Sequence, residues 1–218
     1  MKTALIYTAK TEELKESLEK SIRDAFGQNT EIAGYQDLSV LQETVKNGFI
    51  TKEAGSRYGA LCIKAVTEGA EAILSTCCVM GDDVEPLKCF MQYLGVPFYS
   101  VDESFCRHAL LESEKICLLA TAGVAAFSVG HTIERYERIL GQSREKRVVI
   151  AQGTAGLSSD DFARKLIENI GAGSDPSEGV ILPSHPWLSR VHISGNIPGK
   201  KFILRLTIPH PDFICCIA

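Results

Sequence analysis

The sequence predicts an α/β protein built as two lobes with mostly parallel sheets. Three observations predict it. Short apolar runs alternate with longer amphipathic ones, the pattern that parallel strands joined by helices produce. A stretch near the amino terminus recurs about half a chain later, which points to duplication. The composition is that of an ordinary globular protein, with 45% hydrophobic and 23% charged residues in 218, enough chain for one large domain or two of about 100 residues each.

Taken in order, Thr3–Thr8 reads as a buried strand and Thr11–Phe26 as a helix with Leu14, Leu18, Ile22 and Phe26 on one face. A second helix is expected over Thr51–Glu68, with Ala60, Ile63 and Val66 facing inward. Ala72–Thr76 is the next strand, Asp83–Leu94 a helix stopped by Gly95, and Pro97–Val101 a strand. Asp102-Glu103-Ser104 reads as the crossover, giving lobes over 1–101 and 102–201, with the tail 202–218 packing back on the first. Lys2–Ala9 resembles Lys115–Ala122 at an offset of 113, and Ile73-Leu74 resembles Ile181-Leu182 at 108. Gly171–Glu178 is a loop before the strand Val180–Leu182.

Several functions are disfavoured. A net charge of −4 supplies no basic field, so neither nucleic acid nor an anionic membrane is an expected partner. Ala4-Leu5-Ile6-Tyr7 is too short for a signal-peptide core. The longest uncharged stretch, beginning at Ile116, is interrupted by Gly123, Ser128, Gly130 and His131, unlike a membrane span. The eight cysteines show no C-x-x-C pair and no histidine at zinc-ligand spacing, so free thiols in a reducing cytoplasm are expected, without a structural metal. No glycine-rich phosphate loop follows a strand, which removes support for a nucleotide or nicotinamide cofactor.

The candidate chemistry sits in Ser75-Thr76-Cys77-Cys78-Val79-Met80-Gly81, between a strand and a helix. Ligands of parallel sheets bind beyond the carboxyl ends of the strands. A cysteine there meets backbone N–H groups that stabilise a thiolate and hold a carboxylate. The alternative is that Cys77 is a small packing residue at a tight turn. Thr8 and Thr121 end the first strand of each half, where their hydroxyls either bind a carboxylate or cap the following helix. Thr76, Cys78 and Ser184 complete the expected substrate-binding set. The 108 offset places His185 opposite Cys77, as a second proton-transfer group; a register error of one promotes Ser184 instead. His108 and His131 read as surface or packing residues on helices, and Asp82-Asp83 as a helix cap and first-turn charges.

These residues resemble the aspartate/glutamate/hydantoin racemase superfamily. The resemblance rests on Ala-Ile-Leu-Ser-Thr-Cys-Cys-Val-Met-Gly up to Gly81, on Leu94-Gly95-Val96-Pro97 followed by Val101-Asp102-Glu103, and on Leu118-Leu119-Ala120-Thr121-Ala122. It implies two Rossmann-like lobes related by a pseudo-twofold axis. It also implies a cofactor-independent enzyme that moves the α-proton of a small carboxylate or amino acid with a pair of cysteines. Relatives include arylmalonate decarboxylases, which keep one cysteine, and maleate isomerases. The chain departs from that pattern twice. Ser184-His185 stands where a Gly-Cys-Thr motif belongs, and Phe202–Ala218, broken by Pro209 and Pro211, lacks the usual closing strand. A one-cysteine enzyme and a non-catalytic carboxylate-binding protein are therefore the alternatives to a racemase or epimerase. Self-association into a homo-oligomer is left open.

Overall fold

The computed structural model describes residues 1–9, 12–151, 161, 165, 168, 178–181 and 201–203. Four parallel strands, β1 (Lys2–Tyr7), β2 (Glu31–Gln36), β3 (Ala72–Ser75) and β4 (Phe98–Ser100), form one sheet in the order β2-β1-β3-β4. A second parallel sheet, of β5 (Lys115–Ala120), β6 (Glu145–Ile150), β7 (Glu178–Ile181) and β8 (Lys201–Ile203), runs β6-β5-β7-β8. The chain divides into two compact units between Val101 and Asp102. The strand order of one sheet repeats in the other. Residues 204–218, including Pro209, Pro211 and the Cys215-Cys216 pair, lie outside the described residues.

Burial explains which segments became strands. Ala4, Leu5 and Ile6 in β1 and Ile116, Cys117, Leu118, Leu119 and Ala120 in β5 are all buried. Helices pack against the faces of each central strand and cover its side chains. Fully burying a leucine or isoleucine contributes about 1.5–3 kcal/mol, so these two strands anchor their sheets. β2 carries no apolar run, only Tyr35 among its residues being buried. It pairs along its whole length with β1, from Lys2 opposite Glu31 to Tyr7 opposite Gln36.

The helices follow local signals. In α1 (Glu12–Phe26), Leu14, Leu18 and Ile22 are buried as their spacing predicts. In α2 (Leu38–Asn47), Asp37 caps the start by accepting from the Ser39 N–H at 2.9 Å, and Gly48 closes the end in the left-handed region at φ 76°. Thr51 caps α3 (Lys52–Thr67) by accepting from the Ala54 N–H at 3.1 Å. A 3₁₀ turn at Cys78–Met80 leads into α4 (Gly81–Tyr93), and α5 (Val101–Glu112) and α6 (Gly123–Leu140) follow.

Three expectations need correction. The inward face of α3 is Ala54, Tyr58, Cys62 and Ala65, while Ile63 is 47% exposed; the deeper contact goes to the ring and thiol, because their stripe faces β1 and β2. The expected strand over Pro97–Val101 ends at Ser100, because Val101 begins α5; the crossover at Asp102-Glu103-Ser104, where the chain divides, is that helix's first turn, with Asp102 and Glu103 buried. Glu103 is held there by Arg135 at 2.6 Å. Lys201–Ile203 forms the closing strand that the tail was expected to lack, paired with β7.

The strand registers also correct the repeat. Thr3 pairs with Ala72, and its equivalent Ile116 pairs with Gly179, so β3 and β7 correspond at an offset of 107 and not 108. Ile73 thus corresponds to Val180 and Leu74 to Ile181. The apparent match of Ile73-Leu74 with Ile181-Leu182 arose because both segments are runs of interchangeable aliphatic residues.

Helices α3 and α4 approach closely where Gly55 and Gly59 face Asp83 and Leu87. A Cβ on Gly55 would lie 2.7 Å from Asp83 Oδ2, and one on Gly59 3.7 Å from Leu87 Cδ2. That Asp83 oxygen is buried and has no hydrogen-bond partner among the described residues. Burial, and secondarily the neighbouring Asp82 charge, hold the Asp83 carboxyl above the ordinary aspartate range. Two outcomes follow. Gly55→Ala should destabilise the fold by about 1–3 kcal/mol, the usual cost of overpacking, in urea titrations, and by much less in an Asp83→Ala background. Because the folded state holds the Asp83 proton to higher pH than the unfolded chain does, its stabilising contribution is full at low pH and is lost as pH rises through the folded value. Asp83→Asn, which cannot ionise, should therefore gain stability relative to the native protein between pH 3 and pH 7. A difference that does not vary with pH would contradict this account.

Candidate active site

The parallel pairing of β1 with β3 delivers two chain segments to one sheet edge. Ile6 pairs with Ser75, and the Thr76 N–H extends the ladder to the Ile6 carbonyl at 3.1 Å. The Thr76 hydroxyl donates to the same carbonyl at 3.0 Å. Thr8 and Cys77 then emerge side by side beyond the strand ends, and the Thr8 hydroxyl donates to Cys77 Sγ at 2.6 Å. Thr8, Thr76, Cys77 and Cys78 are all buried, Cys77 being 7% exposed.

Cys77 is extended, with φ −112° and ψ 111°, and stands at the amino end of the 3₁₀ turn, its carbonyl accepting from the Met80 N–H. The turn runs on into the thirteen-residue α4, which carries Asp82 and Asp83 in its first turn. Among the described residues no side chain caps either start. The first-turn amides of such a helix end carry partial positive charge. A hydroxyl donor and a helix amino end are both arrangements that stabilise negative charge on sulfur or on a bound carboxylate.

Of the expected site residues, the structure brings Thr8, Thr76, Cys77 and Cys78 together. It assigns Thr8 to the thiol, since a hydroxyl has one hydrogen to donate. Thr121 ends β5 in the second unit as Thr8 ends β1 in the first. The capping role weighed for it does not hold, because the residue before α6 is Ala122 and no side chain caps that helix. Ser184 and His185 lie outside the described residues, as do His192 and His210. His108 is half-buried on α5, and His131 on α6 lies against Phe127, ring centroids 4.1 Å apart.

Beneath Cys77 lies a polar pair that sequence reasoning missed. Tyr58 and Ser75 are fully buried, and the Tyr58 hydroxyl donates to Ser75 Oγ at 2.5 Å. The signal was a lone serine in an otherwise apolar strand. Two of the other buried thiols are held neutral: burial pushes Cys62 up to about 12 and Cys106 well above the ordinary thiol range, leaving both protonated and inert. Among the described residues no group of three or more His, Cys, Asp or Glu could hold a metal ion, and no helix is long and apolar enough to cross a membrane.

Two parallel four-stranded sheets of equal strand order match solved structures. Allantoin racemase from Klebsiella pneumoniae aligns with a TM-score of 0.52 at 12% identity, over 87% of this chain and 76% of its own. A protein assigned as an Asp/Glu racemase from Yersinia pestis aligns with a TM-score of 0.55 at 14% identity, over 92% of this chain and 91% of its own. This is the fold of the Asp/Glu racemases. Neither a protein-family model nor a curated protein matches the sequence. The racemase fold thus persists here at an identity where strand pairing, rather than residue identity, carries the likeness.

A hydrogen bond to a charged acceptor contributes about 1.5–3 kcal/mol, and one pH unit corresponds to about 1.4 kcal/mol. Thr8→Val, which keeps the shape and removes the donor, should therefore raise the pH midpoint of Cys77 alkylation by iodoacetamide by about one unit or more. An unchanged midpoint would show that the Thr8 bond does not stabilise the thiolate.

Proposed function

We propose that this protein is a cofactor-independent isomerase of the amino-acid racemase or epimerase type. It acts on a small carboxylate by proton transfer at the α-carbon, with Cys77 as one acid–base group. The observation that carries the reading is the Thr8 hydroxyl on Cys77 Sγ at 2.6 Å, beyond the carboxyl ends of β1 and β3. The likeness in fold to an allantoin racemase and to an assigned Asp/Glu racemase supports it. Inverting a carbon needs a proton removed from one face and another returned to the opposite face, hence two groups. Cys77 takes the first role and His185 the second, with imidazole titrating close enough to neutrality to give or take a proton. Cys78, Thr121 and Ser184 supply hydrogen bonds to the substrate carboxylate, Thr76 being committed to the Ile6 carbonyl, and no metal, nucleotide or pyridoxal phosphate takes part. A protein dependent on a free thiol in this way suits the reducing cytoplasm.

The register observation favours a second reading. Counted at the offset of 107 that the strand ladders give, the residue corresponding to Cys77 is Ser184. A serine hydroxyl is a poor base near neutral pH, and a single-thiol decarboxylase or cis–trans isomerase needs only one proton donor or nucleophile.

Exchange of substrate α-hydrogen with solvent deuterium, across a panel of amino acids and dicarboxylates, separates the two readings. The racemase reading expects exchange with inversion. It expects Cys77→Ser to lower the rate by about a hundredfold or more, the usual contribution of a positioned acid–base group, and His185→Ala to abolish exchange on one face while substrate still binds. Product formed without inversion, untouched by His185→Ala, would favour the single-thiol enzyme. Binding with neither exchange nor product would leave a carboxylate-binding protein.

A further inference from the structure

We infer that Tyr58 is a positioning residue for Cys77, acting through Ser75 on the Thr8–Cys77 hydrogen bond. The inference rests on the proposed role of Cys77 and adds a residue that role does not include.

The argument begins with direction. Side chains alternate along an extended chain. Ser75 ends β3, Thr76 continues the ladder, and Cys77 is still extended. Ser75 and Cys77 therefore project from the same side, and Thr76 from the other, where its hydroxyl reaches the Ile6 carbonyl. Tyr58 comes from α3 to the Ser75 side and donates to Ser75 Oγ at 2.5 Å. Both residues are 0% exposed, so neither hydroxyl has water to fall back on.

That burial makes the pair a clamp. A buried hydroxyl that loses its partner is penalised by its full desolvation, which holds Tyr58 and Ser75 to one geometry. Ser75 is also fixed by its neighbours on both sides, Ile6 in β1 and Ser100 in β4. The position of Cys77, two residues on, is thereby tied to helix α3 as well as to the sheet. The phenol itself does not ionise in the working range, because burial raises Tyr58 well above the ordinary tyrosine value. The ionisable groups that bear on it are Cys62 on its own helix, Cys77 beyond β3 and Asp83 on α4. A Tyr58 that stays neutral can hold Ser75 without adding charge beside the thiolate.

The test is a double-mutant cycle read on alkylation of Cys77 by iodoacetamide against pH. Tyr58→Phe keeps the ring and removes the donor. It should raise the alkylation midpoint by about half a unit, a roughly threefold slowing in the region where the thiolate fraction limits the rate. In a Thr8→Val background the same substitution should shift the midpoint much less, because the bond through which Tyr58 acts is already gone. Should Tyr58→Phe fail to fold, Tyr58→Phe/Ser75→Ala removes both hydroxyls, leaves no orphan and carries the same expectation. A Tyr58→Phe midpoint equal to that of the native protein, or a shift of equal size in both Thr8 backgrounds, would overturn the inference and leave the pair as core packing. The cycle measures a difference between backgrounds, so it stands apart from the substrate assay. Loss of α-hydrogen exchange would sink the proposed reaction while the cycle still decided the role of Tyr58.

Discussion

The parallel pairing of β1 with β3 is the constraint on which the candidate site depends. Thr8 and Cys77 are 69 positions apart in the chain, and no local interaction could bring them together. The ladder does so by setting Ile6 against Ser75 and continuing through the Thr76 N–H and hydroxyl to the Ile6 carbonyl. A slip of one residue would turn every side chain of β3 to its opposite face. The hydrogen-bonded ladder therefore fixes the register, and the register fixes the thiol.

Around that point the polar groups sort by depth. At the strand ends, the Thr8 hydroxyl donates to Cys77 Sγ beside the amino end of a 3₁₀ turn, an arrangement that favours charge. Deeper, Tyr58 and Cys62 are pushed toward their neutral forms by burial. Asp83 lies between these layers, its carboxyl raised by burial although it stands in the first turn of α4, where a charge would be welcome. The close approach of α3 at Gly55 walls in one of its oxygens, and desolvation outweighs the helix end. Chemical reactivity among the thiols is thus a matter of place rather than of number.

The sequence made the α/β class, β1, β3, α1 and the position of Cys77 legible, because each rests on a local apolar period or on a strand-to-helix transition. β2 was not legible: it carries no apolar run, and its strand character comes from pairing with β1, 29 positions earlier in the chain. The inward face of α3 was misjudged because Ile63 and Val66 outrank Tyr58 and Cys62 in hydropathy, whereas volume and the reach of the phenol to Ser75 decide what is buried. The crossover at Asp102 was legible but its helical form was not: Arg135, thirty-two residues after Glu103, supplies the charge that lets Glu103 be buried in a helix. The repeat was visible, yet its offset was off by one, since runs of aliphatic residues align equally well in neighbouring registers and only hydrogen-bonded pairing distinguishes them.

The strand order has a consequence for the protein's synthesis. β1 is made first but lies in the interior of its sheet, flanked by β2, which begins at Glu31, and by β3, which begins at Ala72. Its apolar residues have no second neighbour until more than seventy residues have been polymerised. Non-local parallel pairing forms slowly, so the nascent chain carries Ala4, Leu5 and Ile6 as an uncovered adhesive segment throughout that interval. Lys2, at the head of the strand, and the acidic and basic residues of α1 that follow keep this segment between charges, and charged flanks of this kind oppose association with other nascent chains. The same placement that brings Thr8 to the thiol therefore makes the first strand the most exposed part of the molecule while it is being built.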